Sequence, residues 1–116
     1  MATTPMLQLL QGYLKVTADR QQTVAANVAN VDTPGYHTKD INFQAAMQRE
    51  MNEGNDVRFD NISSDVEGLP ERPDGNNVNI DRESMLMAQT QLQYQMGVQL
   101  IKAEFHRLLT AIKDGN

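Results

Sequence analysis

The fold turns on Ala26-Asn27-Val28-Ala29-Asn30-Val31-Asp32-Thr33-Pro34-Gly35-Tyr36. An apolar, helix-spaced pattern runs into this stretch from the N-terminal side, and polar, turn-forming sequence runs out of it. Asn30, Thr33, Pro34 and Gly35 come in the order that ends a helix and turns the backbone. The side-chain amides of Asn27 and Asn30 can reach carbonyls freed in the last turn. Thr33 precedes a proline and is pushed out of the helical region. Pro34-Gly35 suits the central positions of a type II turn, because Pro presets φ and Gly accepts φ > 0.

Upstream of the stop, steps of three and four from Leu7 give Leu7, Leu10, Leu14, Thr17, Gln21, Val24, Val28 and Val31. This is a heptad-like seam with a polar interruption at its centre. It predicts a helix from about Thr4 to Asn30, with Pro5 in the first turn, where a missing N–H costs nothing. A helix that long with one apolar stripe requires a partner helix.

Downstream, Asp40 is the candidate cap of a short helix with Phe43, Met47 and Met51 on its apolar face. From Asp56 to Asn77 the residues are mostly loop-forming, and Val57-Arg58-Phe59 has the alternation of a short strand. The last helix is predicted from Asp81, a candidate N-cap, to about Lys113. Glu83 stands where the dipole favours an anion, and Ile80 is placed to staple onto Met85. Its seam runs Met87, Gln91, Tyr94, Val98, Ile101, Phe105, Leu108 and Ile112. Two seamed helices at the two ends of one chain satisfy each other best by packing antiparallel. The fold class read from this is mainly α: a coiled-coil-like pair of terminal helices around a short helix and an irregular or small β middle. The organisation is 1–36, helix and turn; 37–80, acidic middle; 81–116, second helix. The two ends form one structural domain.

The chain has 116 residues, too few for a large private core, and only 5% are aromatic. The formal charge of −5 sits entirely between His37 and Ile80, which holds nine acidic and four basic residues, while both ends are neutral. That distribution excludes a basic nucleic-acid footprint. With no cysteine there is no disulfide framework or thiolate site. The N-terminal segment lacks the charged and apolar regions of a cleavable signal peptide, so passage out of the cytoplasm would need another route. Ser84 to Ile101 carries no charge and approaches membrane-spanning length, but five glutamines make it too polar to insert.

No catalytic constellation is recognisable, and the chain reads as a non-enzyme with no cofactor and no small-molecule substrate. His37 and His106 lie on different elements without metal-ligand spacing, which favours packing or solvent-facing roles. Asp56, Asp60, Asp65 and Glu67 lack the ligand order of a calcium loop and read as a solvated acidic segment. Asn61-Ile62-Ser63 fits a glycosylation acceptor only in a eukaryotic secretory context that nothing supports. Met85, Met87 and Met96 stand at helical spacing, which reads first as packing. The amide-rich run containing Gln91, Gln93 and Gln95 suggests a surface beside identical copies or along a wet passage.

The run Ala-Ala-Asn-Val-Ala-Asn-Val-Asp-Thr-Pro-Gly-Tyr from Ala25 to Tyr36 resembles the N-terminal signature of the flagellar axial proteins, the family of rod, hook and hook-associated subunits. The motif positions are Ala26, Asn27, Ala29, Asn30, Thr33, Pro34, Gly35 and Tyr36, with Ala26 where many members have the first Asn of a pair. Arg72-Pro73-Asp74-Gly75-Asn76-Asn77-Val78, leading into Asp81-Arg82-Glu83 and Tyr94-Gln95-Met96-Gly97, looks like a proximal rod subunit; a sibling proximal rod subunit is the nearest competitor. The resemblance implies a structural, self-assembling part of the drive shaft in the periplasm, exported unfolded by the flagellar type III apparatus. It implies that the terminal helices form a tube around a channel, with Gln91, Gln93 and Gln95 as candidate channel-facing residues. The implied partners are other copies, neighbouring rod proteins and the basal-body base, either export gate or membrane-ring adaptor. Nucleic acid and membrane insertion are excluded. The competing class is a small helical export chaperone or adaptor, which would melt cooperatively as a free monomer or dimer.

Overall fold

The computed structural model describes residues 4–53 and 63–114. The element order is α1 (Pro5–Ala29), β1 (Lys39–Ile41), α2 (Phe43–Glu53), β2 (Ser63–Asp65) and α3 (Ile80–Asp114). The molecule is elongated, 68 × 26 × 19 Å. As the periodicity requires, it is mainly helical, with the long terminal helices packed on each other.

Three points along the seam fix the sense as antiparallel. Asn27 near the end of α1 meets Glu83 near the start of α3. Tyr13 and Leu14 meet Gly97, where an added Cβ would stand 2.7 Å from Leu14 Cδ2. Met6, Leu9 and Leu10 share a shallow groove with Leu100, Ala103, Glu104 and Arg107. The polar members of the seam cost little, because their hydroxyls are used within their own helices. Thr17 Oγ1 donates to the Tyr13 carbonyl at 2.7 Å, and Thr90 Oγ1 to the carbonyls of Leu86 and Met87.

α1 has a second buried face, on which Val16 clusters with Ile41 and Ala46. α2 lies over Gly12, close enough for Glu50 Cγ to stand 3.1 Å from an added Cβ. Lys15 closes that contact with an ion pair to Glu50 at 3.0 Å, and Tyr13 meets Phe43 edge-on at 5.5 Å. β1 and β2 pair antiparallel, Asp40 opposite Ser64.

The helix starts differ from the sequence reading at two of three places. Thr4 caps α1 by accepting from Leu7 N, with Pro5 following it as expected. α2 is capped by Asn42, which accepts from Ala45 N at 3.1 Å. Asp40 is instead in β1, taken by the Arg20 guanidinium at 2.9 and 3.1 Å. α3 is capped by Asn79, which accepts from Arg82 N, leaving Asp81 inside the first turn. Ile80 and Met85 are both exposed. The strand read at Val57-Arg58-Phe59 lies outside the described residues, as do Asp56, Asp60, Asn61 and Ile62; the strand partner seen for β1 is Ser63–Asp65.

The clasp joining the turn motif to both terminal helices

The end of α1 does what its local chemistry dictates. Asn30 caps the helix and its amide donates to the Ala26 carbonyl at 2.8 Å. Tyr36 N–H then donates to the Thr33 carbonyl at 3.2 Å, with Gly35 at φ 75°, closing the Pro34-Gly35 turn.

Asn27 is not a local cap. It is fully buried, and its amide is used at every valence. Its Nδ2 donates to the Lys39 carbonyl and to Glu83 Oε1, both at 2.8 Å. Its Oδ1 accepts from Lys39 N–H and from the Tyr36 hydroxyl, both at 3.0 Å. Burial, with the Glu83 and Asp65 carboxylates nearby, pushes the Tyr36 phenol above its ordinary value, which keeps it a donor.

Glu83 is 0% exposed. Its second oxygen accepts from Thr38 Oγ1 at 3.0 Å and from Arg82 Nη1 at 2.8 Å. Arg82 also approaches Asp40 at 3.7 Å, so β1 is drawn in electrostatically. A carboxylate taken fully out of water is tolerated only where several donors replace its hydration. Here they come from α1, from the extended segment before β1 and from α3 itself.

A second set of bonds fastens the turn to the chain entering α3. The Asn76 amide donates to the carbonyls of Asn30 and Thr33 at 2.9 and 2.8 Å. Gly35 N–H donates to the Asp74 carbonyl at 2.8 Å, and Gly75, at φ 84°, is so close that an added Cβ would meet Gly35 Cα at 3.4 Å. Asn77 Oδ1 accepts from Thr38 N–H, and Arg72 spans the carbonyls of Val78 and Val31. The two glycine turns therefore lie face to face, with asparagines on both sides.

The remaining residues singled out from the sequence divide by exposure. Leu7, Leu10 and Val24 are buried; Leu14, Val31, Met87, Val98, Ile101 and Leu108 are half-buried. Val28, Tyr94, Phe105 and Ile112 are exposed in the single chain, and the buried positions of α3 are Glu83, Leu86, Thr90 and Gly97. Ala26 and Ala29, Thr33, Pro34 and Gly35 are exposed. Gln91 and Gln95 are exposed one turn apart, whereas Gln93 faces α1, half-buried, its carboxamide oxygen without a partner among the described residues. The sequence reading did not pick out Thr38, Asn76 and Asn77 as buried, nor Glu83 as more than a first-turn anion. Two adjacent asparagines between a Gly turn and a helix start are the signal that was available.

His37 stands between Asp65 and Glu71, and no metal-holding cluster of His, Cys, Asp and Glu occurs among the described residues. No described helix is long and apolar enough to cross a membrane.

Comparison with known proteins gives the clasp its family. The family model described as Flagella basal body rod protein matches residues 7–37, which is most of α1 with the turn. Flagellar basal body rod protein FlgB of Salmonella typhimurium is 32% identical over 130 aligned positions, covering 95% of this chain and 94% of its own length. This chain belongs to the FlgB family of flagellar basal body rod proteins. FlgB of Escherichia coli K12 is 30% identical with the same coverage, and FlgB of Bacillus subtilis 168 is 29% identical over 94% of both chains. These relatives carry the name FlgB rather than FlgC, the sibling rod subunit left open as a competitor. A FlgB-family chain is a component of the flagellar basal body rod, a structural role.

Proposed function

We propose that this chain is a self-assembling subunit of the proximal rod, part of the flagellar drive shaft in the periplasm, delivered by the flagellar type III apparatus. The observation that carries the reading is the uncovered side of α3. Met85, Leu92, Met96 and Leu109 are each more than half exposed in the single chain. A helix apolar on the face turned from its partner as well as on the face toward it needs a second neighbour. Further copies of the chain, neighbouring rod proteins and the basal-body base supply that neighbour.

In this arrangement residues 1–36 and 81–116 form the inner, axial part and residues 37–80 lie outside it. The clasp supports that division, because it anchors the exit of α1 and the entry of α3 at one place. Gln91 and Gln95 border the export channel, where an uncharged amide surface neither attracts nor repels passing chains. Gln93, turned toward α1, serves the helix pair.

Deletion of the gene tests the assignment. The deletion strain is expected to be non-motile, and a tagged copy that restores swimming is expected to co-purify with basal bodies. A tagged copy that restores swimming but stays in the cytoplasm, bound to another exported subunit, would instead identify a chaperone.

A further inference from the structure

We propose that the buried Asn27–Glu83 pair is a register lock: it selects one alignment of α1 against α3 among the alignments that their seam would otherwise allow. This inference does not depend on what the chain assembles with.

The seam beyond the clasp is repetitive. α1 presents Leu7, Leu10, Leu14, Thr17, Gln21 and Val24, and α3 presents Leu86, Thr90, Gln93, Gly97 and Ile101, uncharged side chains recurring every three or four residues. Sliding one helix past the other by a turn, about 5.4 Å, puts one such group in place of another. The threonine hydroxyls do not resist the slide, because they are bonded within their own helices. Gly97 resists it by shape, since no other residue fits against Tyr13 and Leu14 as closely.

Glu83 resists it by charge. Its donors belong to Asn27, Thr38 and Arg82. Displacement by a turn toward the start of α1 would carry the carboxylate away from the first two while leaving it under α1, and displacement the other way would carry it past Ala29, where α1 ends; either would strand an Asn27 amide that uses all four valences in the native alignment. A buried polar group satisfied in one register alone is the best-attested device for fixing helix alignment. The Asn76 bridge to Asn30 and Thr33 and the Gly35–Gly75 contact fasten the exit of α1 to the chain entering α3, so the lock also sets where these two turns meet.

The chain has no cysteine, so two introduced thiols report the register directly. Leu14→Cys/Gly97→Cys reports the native alignment, and Leu14→Cys removes the methyl that a Cβ at 97 would meet. Leu14→Cys paired with Gln93→Cys or Ile101→Cys reports a slip in either direction. In the purified full-length chain with Glu83 intact, oxidation is expected to favour the 14–97 bond by roughly a hundredfold or more, since an unpaired buried carboxylate costs at least two decades in an equilibrium. With Glu83→Met and helicity retained, a slipped bond is expected to form to a similar extent as the native one. Exclusive 14–97 bonding in Glu83→Met would overturn the lock. Should Glu83→Met lose its helicity, the deciding variant becomes Asn27→Asp, which sets two carboxylates against each other and should abolish 14–97 bonding. Adding Glu83→Gln to Asn27→Asp restores a donor–acceptor pair and should recover most of that bonding; no recovery would also overturn the proposal.

Discussion

At the residue scale, Asn27 makes four bonds to four groups, one of them a fully buried carboxylate. Asn27→Ala is expected to destabilise the folded chain by about 3 kcal/mol, because it leaves Glu83 short of a donor inside the protein; denaturant titration of the purified chain measures it. Tyr36→Phe removes one neutral donor and should cost only about 1 kcal/mol in the same assay. Asp19 gives a pH-dependent counterpart. Burial raises its carboxyl above the ordinary value, Lys15 opposes the rise and Glu50 adds to it. A group whose folded value is raised contributes stability below its unfolded value and loses it as pH rises through the folded one. Ionised Asp19 is therefore a penalty at neutral pH. Asp19→Asn should raise the thermal midpoint at neutral pH, and the gain should vanish below the carboxylate range.

The residue scale is also where the sequence was most and least legible. The Pro34-Gly35 turn followed from chemistry confined to four residues. The role of Asn27 did not, because Glu83 lies 56 positions away, and a side chain that caps a helix looks locally the same as one that reaches another helix.

At the scale of elements, both long helices and their pairing were readable from apolar spacing. Their starts were not fully so: Asn79 and Asp81, like Asn42 and Asp40, are comparably good caps, and Asp40 is taken instead by Arg20. The seam of α3 was harder for a different reason. This helix carries apolar residues both toward α1 and away from it, so steps of three and four could be threaded along either side. That choice placed Tyr94, Phe105 and Ile112 in the seam and left out Leu86, Thr90 and Gly97.

Gly97 supplies the test at this scale. Gly97→Ala gains helix propensity of about 1 kcal/mol, but its Cβ would stand 2.7 Å from Leu14 Cδ2 and 3.0 Å from Tyr13. Overpacking of this kind costs about 1–3 kcal/mol, so a lower thermal midpoint is expected. A higher one would mean that the helices separate without penalty. Pro34→Ala/Gly35→Ala acts on the turn instead. Gly35 has φ 75°, a conformation that costs an L-residue about 1–2 kcal/mol. The helix should persist while the Asp74-Gly75 contact loosens, giving subunits that are exported but not incorporated into the rod.

At the scale of the whole molecule, an elongated body presents uncovered apolar residues along one side of its longest helix. The low aromatic content, which leaves little for a private core, was the sign of such a surface in the sequence. Where the acidic middle attaches was illegible, because it depends on the clasp. Leu92→Glu/Met96→Glu places charge on the uncovered side without touching the α1 contact. Its folded stability should stay within about 0.5 kcal/mol of the parent, while incorporation into the rod, measured as tagged chain recovered with basal bodies, should be lost. Whether the chain is a proximal rod subunit with its terminal helices facing the axis is decided by a density map of purified basal bodies carrying it. Density for α1 and α3 is expected at the base of the rod, lining the channel, with the clasp directing residues 37–80 outward. A rod base whose density excludes this chain, or holds it with the middle segment against the channel, would contradict that assignment.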